Sequence, residues 1–298
     1  MASPSPVQAT LNCKLPVASG DGPVDGNPSH GATGHGGFVQ FPTGAFTPDP
    51  SSMGTYDRAR SKWLPVFRTA VSPDGSHYAY SVNPVGPGPL TGTIHVVDGN
   101  SGADRSIVVP SPSNVIDYAA EGIYVDRVVA SSGAPPSGLA LIDPVGGTYR
   151  QITATGTWTA VGGGFAWGAD FDSSIPGPAG GEPNPANRLR KLDLKTGAAT
   201  TVAQYPGMGV TILGVDSGLP VVSAMNGSDY SVSRLDGTKM FLGPVSNANP
   251  ASPIVSDGGA IWFSSSGGDV WRWDDPAAGI HRVASTPLQG AFVAASCR

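Results

Sequence analysis

One short pattern recurs along most of the chain: a brief strand-like run ending in Asp, a turn, then a second run. It occurs at Thr55–Asp57, Val96–Asp98, Leu141–Asp143, Lys191–Asp193, Arg234–Asp236 and Arg272–Asp274. Successive Asp residues are roughly 40–45 positions apart, the length of one four-stranded propeller blade. Each Asp-marked pair reads as an outer hairpin. An inner hairpin precedes it, joined at a Gly: Ser72–Tyr80, Ala120–Val125, Gly162–Trp167, Asp216–Val222 and Asp257–Phe263. The expectation is an all-β fold, a six-bladed β-propeller of four-stranded antiparallel blades.

Five blades are complete on this reading. The sixth is shared between the chain ends. Ala291–Ala295 supplies its inner strand. Gly37–Phe41, the segment near Ala45–Phe46, and Met53–Val66 supply the rest. Residues 1–36 are then an N-terminal arm and 37–298 a single propeller domain. The two Cys, Cys13 and Cys297, lie at opposite ends of the sequence, and ring closure predicts that they meet in a disulfide. A disulfide implies an oxidising compartment. Lys is scarce beside Arg, and no charged and apolar leader opens the sequence. The expected location is therefore extracellular or cell-surface, the chain being a mature form with a start Met.

Gly (42) and Pro (29) are abundant in the 298 residues, yet 39% of the chain is hydrophobic. Regularly spaced β-branched and aromatic runs make the Gly and Pro turn punctuation rather than a sign of disorder. Charge is sparse, 13% of residues with a net −5. Without a Lys/Arg cluster, no nucleic-acid surface is expected. No apolar run is long enough to span a membrane.

SerProAspGly at Ser72–Gly75, followed by an alternating aromatic strand, resembles the repeat of TolB-like, and more broadly WD40-like, propellers. The resemblance implies that ProAspGly makes an inner turn. Ala260–Asp274 also looks like a repeat of streptogramin-lyase-type propellers, whose catalytic His and Glu pattern finds no match here. Taken whole, the chain is most similar to secreted bacterial TolB-like proteins. That implies a fold, since one fold hosts many functions.

Propellers bind ligands around the channel, and the face carrying the connections into the inner strands is the expected site. Polar residues at those entrances are Arg68, Asn114, Asp117, Asn249 and Gln289. Trp158, near the start of an inner strand, is the candidate for stacking on a sugar ring or peptide side chain. One connection on that face is long, Ala169–Asn187. Its Asp170, Asp172 and Glu182 are carboxylates that Ca²⁺ would accept, although their spacing matches no EF-hand. A solvated insertion is the simpler account of them. The same holds for Asp21, Asp25, His30 and His35 in the arm. His77 and His95 fall on adjacent strands of one blade. Ser is abundant, so several Ser/His/Asp combinations can be drawn, but no Gly-x-Ser-x-Gly elbow is present.

These features favour a non-catalytic binding or scaffold propeller, with no cofactor, recognising a protein, peptide or glycan on its loop face. Two alternatives stand beside it. One is a propeller enzyme, a lyase or hydrolase that is cation-dependent or uses a channel His. The other is a structural module of a surface assembly.

Overall fold

A computed structural model describes residues 11–19, 35–83, 91–127, 137–178, 185–244, 246–257, 259–275 and 279–297. The chain forms a β-propeller. Sheet 1 contains His77–Val82, Gly92–Asp98 and Asp104–Val109, with an isolated bridge from Val71 to Tyr78 where a fourth strand would lie. Sheet 2 contains Ser113–Ala119, Gly122–Arg127, Ser137–Ile142 and Tyr149–Thr153. Sheet 3 contains Ala160–Gly162, Phe165–Asp170, Arg188–Asp193 and Ala199–Gln204. Sheet 4 runs through Gly209–Asp216, Leu219–Asn226, Asp229–Arg234 and Lys239–Pro244. Sheet 5 runs through Ala251–Asp257, Ala260–Ser264, Asp269–Asp275 and Gly279–Ser285. Neighbouring strands within each sheet are antiparallel. The first strand of sheets 2 to 5 touches the first strand of the next sheet, and the series ends on Ala291–Val293.

The recurring Asp has one physical task. At the end of the third strand its carboxylate accepts backbone N–H groups of the following turn. Asp98 accepts from Asn100 and Ser101, Asp143 from Val145, Asp193 from Lys195 and Thr196, and Asp236 from Thr238. The side chain thus replaces a backbone acceptor where the ladder ends. The inner hairpins turn where the glycines stand. Gly75 and Gly163 adopt φ of 72° and 64°, a region that costs a residue with a Cβ.

The closing sheet corrects the sequence expectation. Its order is Ala291–Val293, Lys14–Ser19, Gly36–Gln40, Ala45–Pro48. Lys14–Ser19, expected in an arm outside the propeller, is its second strand. Val17 stands opposite both Val293 and Gly37. The cause is apolar burial: Leu15, Val17 and Ala18 are fully buried. Gly36–Gln40 is displaced outward by one strand. Met53–Val66 joins no blade. Within it, Thr55–Asp57 and Lys62–Leu64 pair as a separate two-stranded hairpin. Cys13 and Cys297 do form a disulfide.

Core clusters lie between adjacent sheets, as a ring of packed blades requires. Ile94 and Ile107 of sheet 1 meet Ile123 and Ile142 of sheet 2. Val221 and Val232 of sheet 4 meet Phe263 and Trp271 of sheet 5. Leu15 and Val39 of the closing sheet meet Trp262 of sheet 5. The hairpin fills the remaining gap. Its Trp63 packs with Ala18 and Phe292 of the closing sheet, and Leu64 packs with Val71, Tyr78 and Tyr80 of sheet 1.

Three cations of this hairpin hold the gap from one side. Arg58 donates to the carbonyls of Ser296 (2.7 Å) and Lys14 (2.5 Å), next to the two cysteines. Arg60 donates to Gly75 O at 2.6 Å, and Lys62 to Gly99 O. The hairpin therefore straps the closing sheet to sheet 1.

Candidate functional site

Residues of the inner strands line a cavity of about 710 Å³. It lies at the end of the channel where the inner strands finish. Ile212–Val215, Pro253–Asp257 and Asp117 line it from the later parts of their strands. The strap hairpin and the short 3-10 turn Arg68–Ala70 close one side. Of the polar residues the sequence placed at the inner-strand entrances, Asn114, Asn249 and Gln289 lie outside this lining.

The lining of this cavity is part apolar and part charged. Val161, Ile212, Leu213 and Ile254, from sheets 3 to 5, make an apolar wall. Asp57, Arg58, Arg68, Asp74 and Asp117 make a charged one, and Asp257 of sheet 5 adds a carboxylate beside the apolar residues. Within the charged wall several groups already have partners. Asp57 pairs with Arg60 at 2.9 Å and accepts Ala59 N–H. Asp74 accepts the Ser72 hydroxyl and the Ser76 N–H, which hold its carboxyl well below the usual range. Arg68 is exposed and donates no side-chain hydrogen bond to a described residue.

Asp117 is the unusual group. Burial pushes its carboxyl up to about 7. Hydrogen bonding from Tyr118 N–H opposes the shift, repulsion from Glu121 adds to it, and Arg68 offsets it least. An unfolded Asp titrates near ~3.9. The folded state therefore holds the proton more tightly, and Asp117 withdraws stability as pH rises from about 4 to about 7. Asp117→Asn is expected to melt higher than the parent protein at pH 8, with the difference vanishing near pH 4. A melting series across that range checks this, and a difference that stays constant with pH would contradict it.

Of the six sequence candidates, only Arg68 and Asp117 share the cavity. Asn114 is exposed at the other end of its strand. Its N–H donates to Asp126 at 3.0 Å, and burial raises that carboxyl to about 6. Asn249 is buried and its side chain bonds Ser246 within a turn. Gln289 is exposed, and its carbonyl accepts the Ser19 hydroxyl. Trp158 is 1% exposed, in a cluster with Tyr124, Leu139 and Leu192. Its indole N–H donates to Thr155 O at 3.0 Å. It is a packing element with no face for a ligand.

The metal candidates also have other partners. Asp170 pairs with Arg188 at 2.7 Å and Arg190 at 3.4 Å; Asp172 pairs with Arg188 at 2.6 Å. Guanidinium groups thus stand where a cation would sit. Among the described residues, no group of three or more His, Cys, Asp or Glu is placed to hold a metal. Glu182, Asp21, Asp25 and His30 lie outside the described residues. His77 and His95 are not brought together. His77 is opposite Asp98 in the ladder, while His95 is opposite Tyr80 and stacks on it at 4.6 Å. Phe67, a cavity residue that polarity alone could not reveal, packs on Phe292 at 5.4 Å.

No family model matches the chain, and neither does any curated protein. Solved propeller-containing structures are similar to it in shape. One chain of a nidogen/laminin complex is 8% identical, covering 94% of this chain and 96% of that one, with a TM-score of 0.45. TolB from Acinetobacter baumannii is 12% identical, covering 74% and 67%, with a TM-score of 0.34. The β-propeller domain of the Trilobed protease from Pyrococcus furiosus is 12% identical, covering 72% and 82%, with a TM-score of 0.40. Among the described residues, no helix is long and apolar enough to cross a membrane.

Proposed function

We propose that this protein is a non-catalytic binding propeller of six blades, working outside the cytoplasm, which takes a segment of a protein or peptide partner into its channel mouth. The combination of apolar and charged side chains lining the 710 Å³ cavity carries this reading. A polypeptide segment presents both chemistries at once, and binding sites combine apolar surface with a few placed polar groups. A glycan fits less well, because Trp158 is inside the core and Phe292 is buried. The Cys13–Cys297 bond supports an oxidising location.

Peptides selected from a displayed random library on the oxidised protein provide the test. The Arg68→Ala/Asp117→Asn double variant, if folded, is expected to bind them at least about ten-fold more weakly, as removal of central anchors does. Undiminished binding would move the site away from the channel. A second reading rests on Asp117 alone. A carboxyl titrating near neutrality in a cavity is what general acid–base catalysis uses. Turnover of any ester, peptide or glycoside probe that disappears in Asp117→Asn would favour a hydrolase or lyase.

A further inference from the structure

A second cavity, a groove of about 630 Å³, runs between sheets 1 and 2. Pro73 and Asp74 line both it and the channel mouth. The turn Ser72–Gly75 is therefore a shared wall, and the two spaces adjoin. Away from that wall the groove is largely apolar: Val96, Tyr118, Pro144 and Val145 line it, with Val145 77% exposed.

The groove is lined by two carboxylates, one guanidinium and one imidazole. Asp74 and Asp98 stand on its rim, their carboxyls lowered by N–H and hydroxyl donors of their own turns. Neither forms an ion pair with a Lys or Arg among the described residues. His77 Nε2 lies 3.7 Å from Asp98. Arg105, also in the groove, donates to the carbonyls of Pro144 and Val145. Turn N–H groups hold the carboxylates in place but carry no full charge to balance them. A ligand ammonium or guanidinium would.

We propose that this groove extends the channel-mouth site, and that the two together hold an extended segment of a partner protein carrying Lys or Arg beside apolar residues. The inference rests on the binding reading above. Charge complementarity selects the occupant: with two carboxylates against one guanidinium, a segment bearing a cation suits the groove better than an acidic segment or nucleic acid.

The probe is a positional-scanning library of fluorescein-labelled octapeptides, followed by anisotropy. Lys or Arg with apolar neighbours is expected to be selected, with affinity that falls as salt is added. Asp98→Asn/Val145→Ser alters the groove alone, and Asn keeps an acceptor oxygen for the turn. This variant is expected to melt below the parent, since the charged acceptor of the turn is lost, and, compared at equal folded fraction, to bind the best peptide about ten-fold more weakly. Selection of acidic peptides, absence of any binding, or undiminished binding by this variant would overturn the proposal. Loss of binding in Arg68→Ala with none in Asp98→Asn/Val145→Ser would leave the channel reading standing without the groove. Equal binding by all variants would remove both.

Discussion

Replacing Cys13 and Cys297 together by Ser is expected to remove about 5 kcal/mol of stability, the largest loss of any change considered for this chain. The bond joins positions 284 residues apart. In the chain-entropy account, such a link denies the unfolded chain most of its freedom. Its place in the folded state adds to the effect. Cys297 follows Ala291–Val293, a three-residue strand with three ladder partners in Lys14–Ser19. Without the bond, that short ladder, the Ser19–Gln289 bond, the Arg58 contacts and local packing keep the ring shut. Denaturant titration with and without reductant measures the effect, and coincident midpoints would rule it out.

Trp158→Ala is expected to cost about 3–5 kcal/mol, the range for emptying a buried indole site. The ring is enclosed by sheets 2 and 3, and a Cβ on Gly156 would already stand 3.0 Å from it. The loss combines transfer of the indole to water with the void left between two sheets that cannot close up independently. Peptide binding, compared at equal folded fraction, is expected to be unchanged. Unaltered melting together with weakened binding would return Trp158 to the ligand site.

The fold was legible where one residue type has one physical task. Asp at the end of a third strand supplies an acceptor for turn N–H groups, and Gly at an inner turn supplies a backbone conformation. Both recur at blade spacing, so sheets 1 to 5 could be read directly. Lys14–Ser19 could not. It contains Pro16, it is separated from Gly36–Gln40 by a long connection, and its partner Ala291–Val293 lies at the far end of the sequence. Local pattern says nothing about a partner so distant. The hairpin from Thr55 to Leu64 carries the same Asp signal as a blade, because Asp57 caps its turn in the same way. The signal marks turns, and so cannot tell a blade from a strap.

The site was legible only in part, for a related reason. Arg68 and Asp117 are polar and near the channel in sequence terms, and both line the cavity. Asn114, Asn249 and Gln289 satisfy the same sequence criteria and do not. Period-two alternation tells which side a strand residue takes, but not which end of the strand opens into a cavity. That depends on how the hairpin and the Arg68–Ala70 turn sit across the ring.

The strap hairpin has a consequence for how this sequence can drift. Arg58, Arg60 and Lys62 grip main-chain oxygens of Ser296, Lys14, Gly75 and Gly99. Every residue type offers that oxygen. Ser296 and Lys14 can change identity without loosening the grip, whereas the cations cannot be replaced by neutral residues. The seam is thus a lock whose keys are three side chains and whose wards are peptide groups. Variation is absorbed on one side of it and felt on the other.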